Sequence, residues 1–351
     1  MKPVHVGNCH NDLPVLLLYN LDPSWSQEDI QECCAATQGL IEALVEVGHP
    51  VQAVCLQSAE LETALKDFNP EEHLVFNWCE ALPGVPHSEH RVAQTLERMG
   101  FIFTGAGSRT LAVCQDKRRI KRLLQRRQIP TPVWQVYTTA RNIDWACFPA
   151  IVKPAFEHCS YGITRESVVG TMAELGQRIQ YVLDELRQPA LVEAFLDSRE
   201  FHVGVIGNGN LRMLPPAEID YSSFPDIHDH LCTYESNVDK TSLAYQLTLP
   251  KLPVDLTDSE LSRLEAMVIA AYRATHCRDY ARMDIRLQDG VFYLLDVNPN
   301  PDISSRNSLV MGAELSGLTY GELGSLLINL AAQRHPVFSL DKYTKMTQPE
   351  R

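Results

Sequence analysis

The stretch that most constrains this chain runs from Arg282 to Pro301, Arg-Met-Asp-Ile-Arg-Leu-Gln-Asp-Gly-Val-Phe-Tyr-Leu-Leu-Asp-Val-Asn-Pro-Asn-Pro. Two β-prone runs flank Asp289-Gly290, which is a hairpin signal. Side chains alternate along a strand, so Asp296 and Asn298 leave from one face. Asp284 joins them in only one of two registers. A strict two-residue loop sets Asp284 opposite Leu295, on the wrong face. A three-residue loop, or a bulge with Gly290 left-handed, sets it opposite Asp296, and this register is the one expected. Asp284, Asp296 and Asn298 then offer three oxygen donors from rigid strands. Such donors suit Mg²⁺, with Mn²⁺ as a substitute, an ion that keeps waters and takes further ligands from phosphates. Arg282 adds a fixed positive charge on the Asp284 face. The competing reading is a surface hairpin with polar ends.

Bulk properties narrow the class. At 351 residues the chain exceeds the usual single-core size, so two or three units are expected. Hydrophobic and charged contents of 45% and 21% are those of a globular protein. A net charge of −13 argues against a nucleic-acid partner but not against a nucleotide, which needs only a local basic cluster. Ten cysteines without a Cys-x-x-Cys pair fit reduced thiols and a cytoplasmic setting. The apolar run Leu13 to Leu18 is too short to span a bilayer, so no membrane partner is expected.

The first third alternates strand and helix. Strands are expected at Pro3 to Gly7, Val51 to Leu56 and Leu74 to Asn77, with helices from about Glu28 to Val47 and Ser88 to Met99. This order implies a small open α/β sheet. Gly105-Ala106-Gly107-Ser108 is a turn ahead of a third helix, and a candidate anion-binding helix start. That helix, about Arg109 to Arg127, carries Lys117, Arg118, Arg119, Lys121, Arg122, Arg126 and Arg127. It reads either as a solvated face or as a field that attracts a polyphosphate. Strands follow at Val133 to Tyr137, Pro149 to Lys153 and Ala190 to Leu196, with a helix at Thr171 to Arg187 between the last two.

From Arg199 the pattern becomes antiparallel, with Glu200 to Ile206 and Leu211 to Leu214 around a glycine turn. Pro215 to Val254 reads as a long functional loop with an edge strand or two. Thr257 and Glu260 form a capping box for a helix to about His276. A last helix spans about Thr319 to Arg334, ahead of a loose polar tail. His202 and the His228/His230 pair are a weak zinc signal, since His-x-His without a third ligand more often marks a loop.

Four motifs occur in order: Asp116-Lys117; Ile151-Val152-Lys153-Pro154-Ala155; Leu191-Val192-Glu193-Ala194-Phe195-Leu196 with Arg199-Glu200-Phe201; and Arg282-Met283-Asp284 with Asp296-Val297-Asn298-Pro299-Asn300-Pro301. Together they resemble the ATP-grasp ligases of the D-alanine–D-alanine ligase-like branch, over about Leu74 to Leu330. The resemblance implies an α/β fold, α+β in its C-terminal part. An N-terminal α/β unit (1–112) would precede a central ATP-grasp lobe (113–196), a C-terminal lobe (197–336) and a polar tail (337–351). It also implies ATP as substrate. Lys117 and Lys153 match the lysines that hold phosphates, and Ser160 and Gly162 are what remains of the phosphate-covering loop. Glu193, Phe195 and Leu196 match the adenine-reading segment, and Glu200 the ribose acid. Arg282 matches the arginine that stabilises the tetrahedral intermediate. Asp284, Asp296 and Asn298 match the magnesium ligands, with Asp296 where Glu is more usual. A homodimer is implied as well.

The departures bear on substrate. Asn237 stands where the family has a further lysine. Val75 to Glu80 replaces its His-Gly segment, and Asp302 stands where a glycine is usual. Glu80, Tyr234, Ser305, Asn307 and Ser308 are the candidate substrate residues, each equally readable as packing or a cap. The implied activity is an ADP-forming ligase that activates a small carboxylic acid or amino acid as an acyl phosphate and joins it to an amine. The alternatives are D-alanine–D-alanine ligase proper and a non-catalytic ATP-binding sensor.

Overall fold

The structure is a computed structural model that describes residues 10–158, 160–233, 242–248, 250–304 and 307–339. Its first unit is built from β1 (Val15–Asn20), α1 (Gln27–Glu46), β2 (Val51–Leu56), α2 (Leu61–Leu65), β3 (Leu74–Trp78), α3 (Glu89–Met99) and β4 (Ile102–Phe103). The four strands form an all-parallel sheet in the order β2-β1-β3-β4. The expected strand Pro3 to Gly7 lies outside the described residues. The run Leu13 to Leu18, read only as too short for a membrane, supplies β1. A continuous apolar strand is what a parallel sheet covered on both faces demands, and Val15 to Leu18 are all buried.

Two short helices follow, α4 (Ser108–Cys114) and α5 (Lys117–Arg126), where one continuous helix was expected. The break is chemical. Asp116 is extended, and its carboxylate accepts the amides of Arg118 and Arg119, capping a new helix. The glycine turn before α4 is no anion site either, because Glu97 already accepts the Ser108 amide (2.9 Å) and hydroxyl (2.5 Å).

The second sheet, β5-β8-β6-β7, is antiparallel and comprises β5 (Trp134–Tyr137), β6 (Ala150–Pro154), β7 (Val168–Val169) and β8 (Ala190–Ala194), backed by α6 (Met172–Asp184). The third is larger. Its path is β12-β11-β9-β13-β14, with β10 also on β9; the strands are β9 (Arg199–Ile206), β10 (Arg212–Met213), β11 (Ala217–Ile219), β12 (Pro250–Lys251), β13 (Tyr280–Gln288) and β14 (Val291–Asn298). The helices α7 (Leu243–Leu247) and α8 (Asp258–Ala274) lie between β11 and β13 in sequence. The expected capping box of α8 is present, Thr257 with Glu260.

Two helices close the described chain, α9 (Ser308–Leu315) and α10 (Tyr320–Ala332). α10 packs on α1 at close range: a Cβ on Gly321 would lie 2.4 Å from the Ala43 carbonyl oxygen. The core around α10 joins β1 and β3 to α9 and to Leu214. A second core packs α8 and α5 on one face of β9, β13 and β14. The opposite face of those three strands is the polar one.

Candidate active site

Register decides which side chains meet on that polar face. β9 and β13 pair Glu200 with Arg286, His202 with Asp284 and Gly204 with Arg282. β13 and β14 pair Asp284 with Asp296 and Arg282 with Asn298. The register is the expected one, but its cause is different. Asp289 and Gly290 both have positive φ, 50° and 75°, and make a strict two-residue turn, so Gln288 pairs with Val291 and Ile285 with Leu294. The extra residue sits mid-strand at Leu295, as a bulge between the Asp284 and Ile285 pairings. Without that bulge Asp296 and Asn298 would face the core.

The bulge is held by a member of the α5 basic cluster. Lys121 is buried (1% exposed), and its ammonium reaches the Leu295 carbonyl (2.9 Å), Thr131 Oγ1 (2.8 Å) and Glu193. Thr131 in turn donates to the Leu294 carbonyl at 2.9 Å. Lys117, Ile120, Lys121 and Leu124 recur at i, i+3, i+4 and i+7 and form the buried face of α5. That spacing was the available signal. Of the seven basic residues, Arg119, Arg122, Arg126 and Arg127 are solvated, while Arg118 lies over the Phe156 ring at 4.6 Å.

The cations and carboxylates pair across elements. Lys117 from α5 contacts Asp296, and Lys153 at the end of β6 reaches Glu193 at 2.7 Å. Burial alone would raise the Glu193 carboxyl, but Lys121 and Lys153 overcome it and hold it at about 2. Burial would likewise lower Lys153, yet Glu193 and the nearby Asp296 keep it above its ordinary value. Arg282 binds Asp284 through Nε (2.8 Å) and a terminal nitrogen (3.2 Å), and Asn298 donates its amide to Asp284 at 2.9 Å. Asp284 is held below its usual range, because Arg282 and His202 outweigh burial.

Further along, Glu200 is gripped by Arg286 (2.8 Å and 2.7 Å to Oε2), with the Tyr221 hydroxyl at 3.3 Å, and Arg286 and His202 hold it at about 2 in spite of burial. Arg286 also donates to the Leu196 carbonyl and lies 4.7 Å from the Phe195 ring. It therefore ties the Phe195-Leu196 segment to the sheet. Arg286 was missed, although Arg282, Asp284 and Arg286 alternate on one strand face, which is a readable period of two.

The loop between β6 and β7 lies against the same site. Ser160 and Gly162 both have positive φ (59° and 74°), and Arg178 donates to the Gly162 carbonyl at 2.7 Å. Burial and the charge of Lys117 push the His158 imidazole down to about 4, so it faces the site neutral. On the first unit's side, Glu80 follows β3 and its amide donates to Asn20 at 2.9 Å. Glu80 is exposed at the cleft edge, where desolvation by the surrounding protein, then Asp302, raises it. Glu89, unread in the sequence, is raised to about 8 by burial and Glu80 against a bond from Asn300 (3.1 Å). Asn307 caps α9 by accepting from Leu309, and Ser308 is buried in that helix. Tyr234, Ser305 and Asn237 lie outside the described residues.

The arrangement is two lysines from one side facing two carboxylates, an amide and a guanidinium from the other, under a loop. The D-ala D-ala ligase C-terminus family model matches residues 128–329. Uncharacterized protein y4sG of Sinorhizobium fredii is 30% identical over 84% of this chain and 87% of its own length. The chain belongs to the D-alanine–D-alanine ligase family of ATP-grasp proteins. The D-alanine–D-alanine ligase of Aquifex aeolicus is 28% identical over 83% of this chain and 92% of its own. The fold agrees with the family: the crystal structure of D-alanine–D-alanine ligase from Bacillus anthracis complexed with ATP superposes with a TM-score of 0.71 at 20% identity, covering 92% of this chain and 98% of that one. Among the described residues no helix is long and apolar enough to cross a membrane.

Proposed function

We propose that this ATP-dependent, ADP-forming carboxylate–amine ligase uses the cleft between Lys117, Lys153 and the β13/β14 ribbon to make an amide through an acyl phosphate. The observation that carries the reading is the contact of Lys117 with Asp296, with Lys153 near enough to act on the same carboxylate, on the ribbon where Asp284 holds Asn298 and Arg282. Units at 1–112, 113–196 and 197–336, with the tail 337–351, belong to the same proposal.

In it, Lys117 and Lys153 hold phosphates as point cations. Phe195 and Leu196, fixed by Arg286, line the base, with Glu193 beneath and Glu200 towards the ribose. Ser160 and Gly162 sit in the covering loop, which keeps water from a hydrolysable intermediate. The donor set fits a hard cation: two carboxylates and one amide oxygen on a rigid ribbon, compensated here by Arg282 and Lys117. Mg²⁺ held by Asp284, Asp296 and Asn298 would neutralise phosphate charge when bound. A substrate carboxylate attacks the γ-phosphate, a step that asks mainly for positioning. An amine then attacks the acyl phosphate, and Arg282 faces the oxyanion that develops. Glu80, with Glu89 and Asp302 near it, suits a substrate ammonium, because a cation there offsets the desolvation and the added repulsion that raise Glu80 and Glu89.

A cytoplasmic homodimer belongs to this reading, and mass in solution tests the dimer. The main experiment is ADP and phosphate release across a panel of amino acids, small acids and amines, with product masses. Amide products with stoichiometric ADP support the assignment. ATP binding without ADP under any pair overturns it.

A further inference from the structure

The weak zinc signal of the sequence lies on His202 and on His228/His230, and the structure parts them. His228 is bound to Asp226 and His230 to Asp197, both at 2.6 Å. His202 instead meets Glu200, its neighbour on the same strand face, and Cys232 from the loop after β11. One ligand atom from each of the three lies within 4.8 Å of the others.

We propose that a zinc-class divalent cation binds Cys232, His202 and Glu200 and, in binding, shuts the nucleotide out. A thiolate, an imidazole and a carboxylate are a zinc donor set, unlike the all-oxygen set of the ribbon. Asp284, Cys232 and Glu200 hold His202 up at about 10 against burial, so the ion displaces the imidazolium proton as well as the thiol proton, and both leave to solvent on binding. The spacing fits. Bonds of ~2.1 Å at a tetrahedral angle put two ligand atoms ~3.4 Å apart, and His202 Nε2 lies 3.5 Å from Glu200 Oε1. The carboxylate is also turned correctly. Arg286 and Tyr221 both occupy Oε2, which leaves Oε1 towards His202. Tyr221 steadies the third donor, with its hydroxyl 3.2 Å from Cys232 Sγ. Three protein ligands leave a fourth position for water, as in an exchangeable site.

The exclusion half rests on the reading of Glu200 as the ribose acid. An ion there takes the oxygen that a ribose would use, and stands close to the Asp284 carboxylate, 3.8 Å from His202 Nε2. Soft and hard cations thus compete for adjacent ground, and a nucleotide bound with Mg²⁺ displaces the soft one.

Co²⁺ titrated into the full chain tests this through its thiolate-to-metal charge-transfer band. The expected result is one thiolate-bound ion per chain, a band lost in Cys232→Ser, kept in Cys34→Ser, removed by Zn²⁺ and lowered by ATP with Mg²⁺. Zinc inhibition of ADP formation should compete with ATP and weaken about tenfold or more in Cys232→Ser, relative to that variant's own zinc-free rate. Circular dichroism confirms that the variant is folded, and zinc protection of Cys232 from alkylation gives a second readout in the unaltered chain. No band, or a band that survives Cys232→Ser, overturns the site. Calorimetry separates the two readings. ATP that binds without displacing cobalt overturns the exclusion, whereas cobalt on Cys232 in a chain that binds no ATP overturns the nucleotide reading instead.

Discussion

The strands β9, β13 and β14 present two faces made by the same backbone and opposite in kind. One carries Phe201, Val203, Met283, Ile285, Leu294 and Val297, all fully buried against α8 and α5. The other carries Glu200, His202, Arg282, Asp284, Arg286, Asp296 and Asn298, paired among themselves and with Lys117. Burying apolar area stabilises a fold directly, at roughly 25 cal/mol per Å². Burying ion pairs roughly breaks even against desolvation. The polar face therefore adds little to stability for the number of charges it holds. Under the proposed function, these groups stay compensated until phosphates and a cation replace the internal partners.

The contrast predicts opposite phenotypes from neighbouring residues on β13. Arg282→Ala, on the polar face, should lower amide formation by about two orders of magnitude or more while ATP still binds. It should cost only about 1 kcal/mol of stability, since the Arg282 pair reaches cleft solvent. ADP release and calorimetry check it, and unchanged turnover would remove Arg282 from its role. Ile285→Ala, three residues on and facing the core, should do the reverse. A loss of about 2–5 kcal/mol is expected from the cavity, read in a denaturant melt, with kcat of the folded enzyme near wild type. If both variants lose activity and stability together, the two faces are not separable.

Legibility followed the same division. The apolar face, the capping box of α8 and most element positions were readable, because period and cap chemistry are local. The hairpin register was expected correctly for a wrong reason: a sequence shows a turn at Asp289-Gly290, but not a bulge at Leu295 set by a lysine more than 170 residues away. α9 was not anticipated. Its Ser308, Leu309, Val310, Gly312 and Ala313 are all buried, so it has no polar stripe to mark a period, and its cap Asn307 is equally readable in sequence as a substrate contact. The meeting of Glu200, His202 and Cys232 was illegible for a similar reason, because Cys232 enters from a loop without periodicity.

Lys121 sharpens the comparison, since it is a charged residue on the buried face of α5 and serves both faces at once. Lys121→Met keeps the stem's packing but leaves the Leu295 carbonyl and one Glu193 oxygen unserved. With Lys153 still on Glu193, a stability loss of about 2 kcal/mol is expected. Asp296 should drift with the bulge, and kcat/KM for ATP should fall about tenfold or more, with a higher Mg²⁺ requirement. Wild-type ATP kinetics in a destabilised Lys121→Met would mean that the bulge holds by itself.

The smallest expected effect is on acid stability, and it isolates Glu193. Its folded carboxyl lies at about 2 against an ordinary 4.5, so its contribution is fully present above the ordinary value and lost as pH falls from 4.5 through about 2. Glu193→Gln cannot titrate. It leaves two buried lysines facing an amide, so it starts less stable than wild type at neutral pH. The gap between the two proteins should be constant down to about pH 5 and then narrow, by about 1 kcal/mol near pH 3.5. Paired denaturant melts across that range measure it. A gap that stays flat into acid would mean that Lys121 and Lys153 do not hold the charge on Glu193, and the Lys121 bridge between the second sheet and the ribbon would then be a contact without energetic coupling.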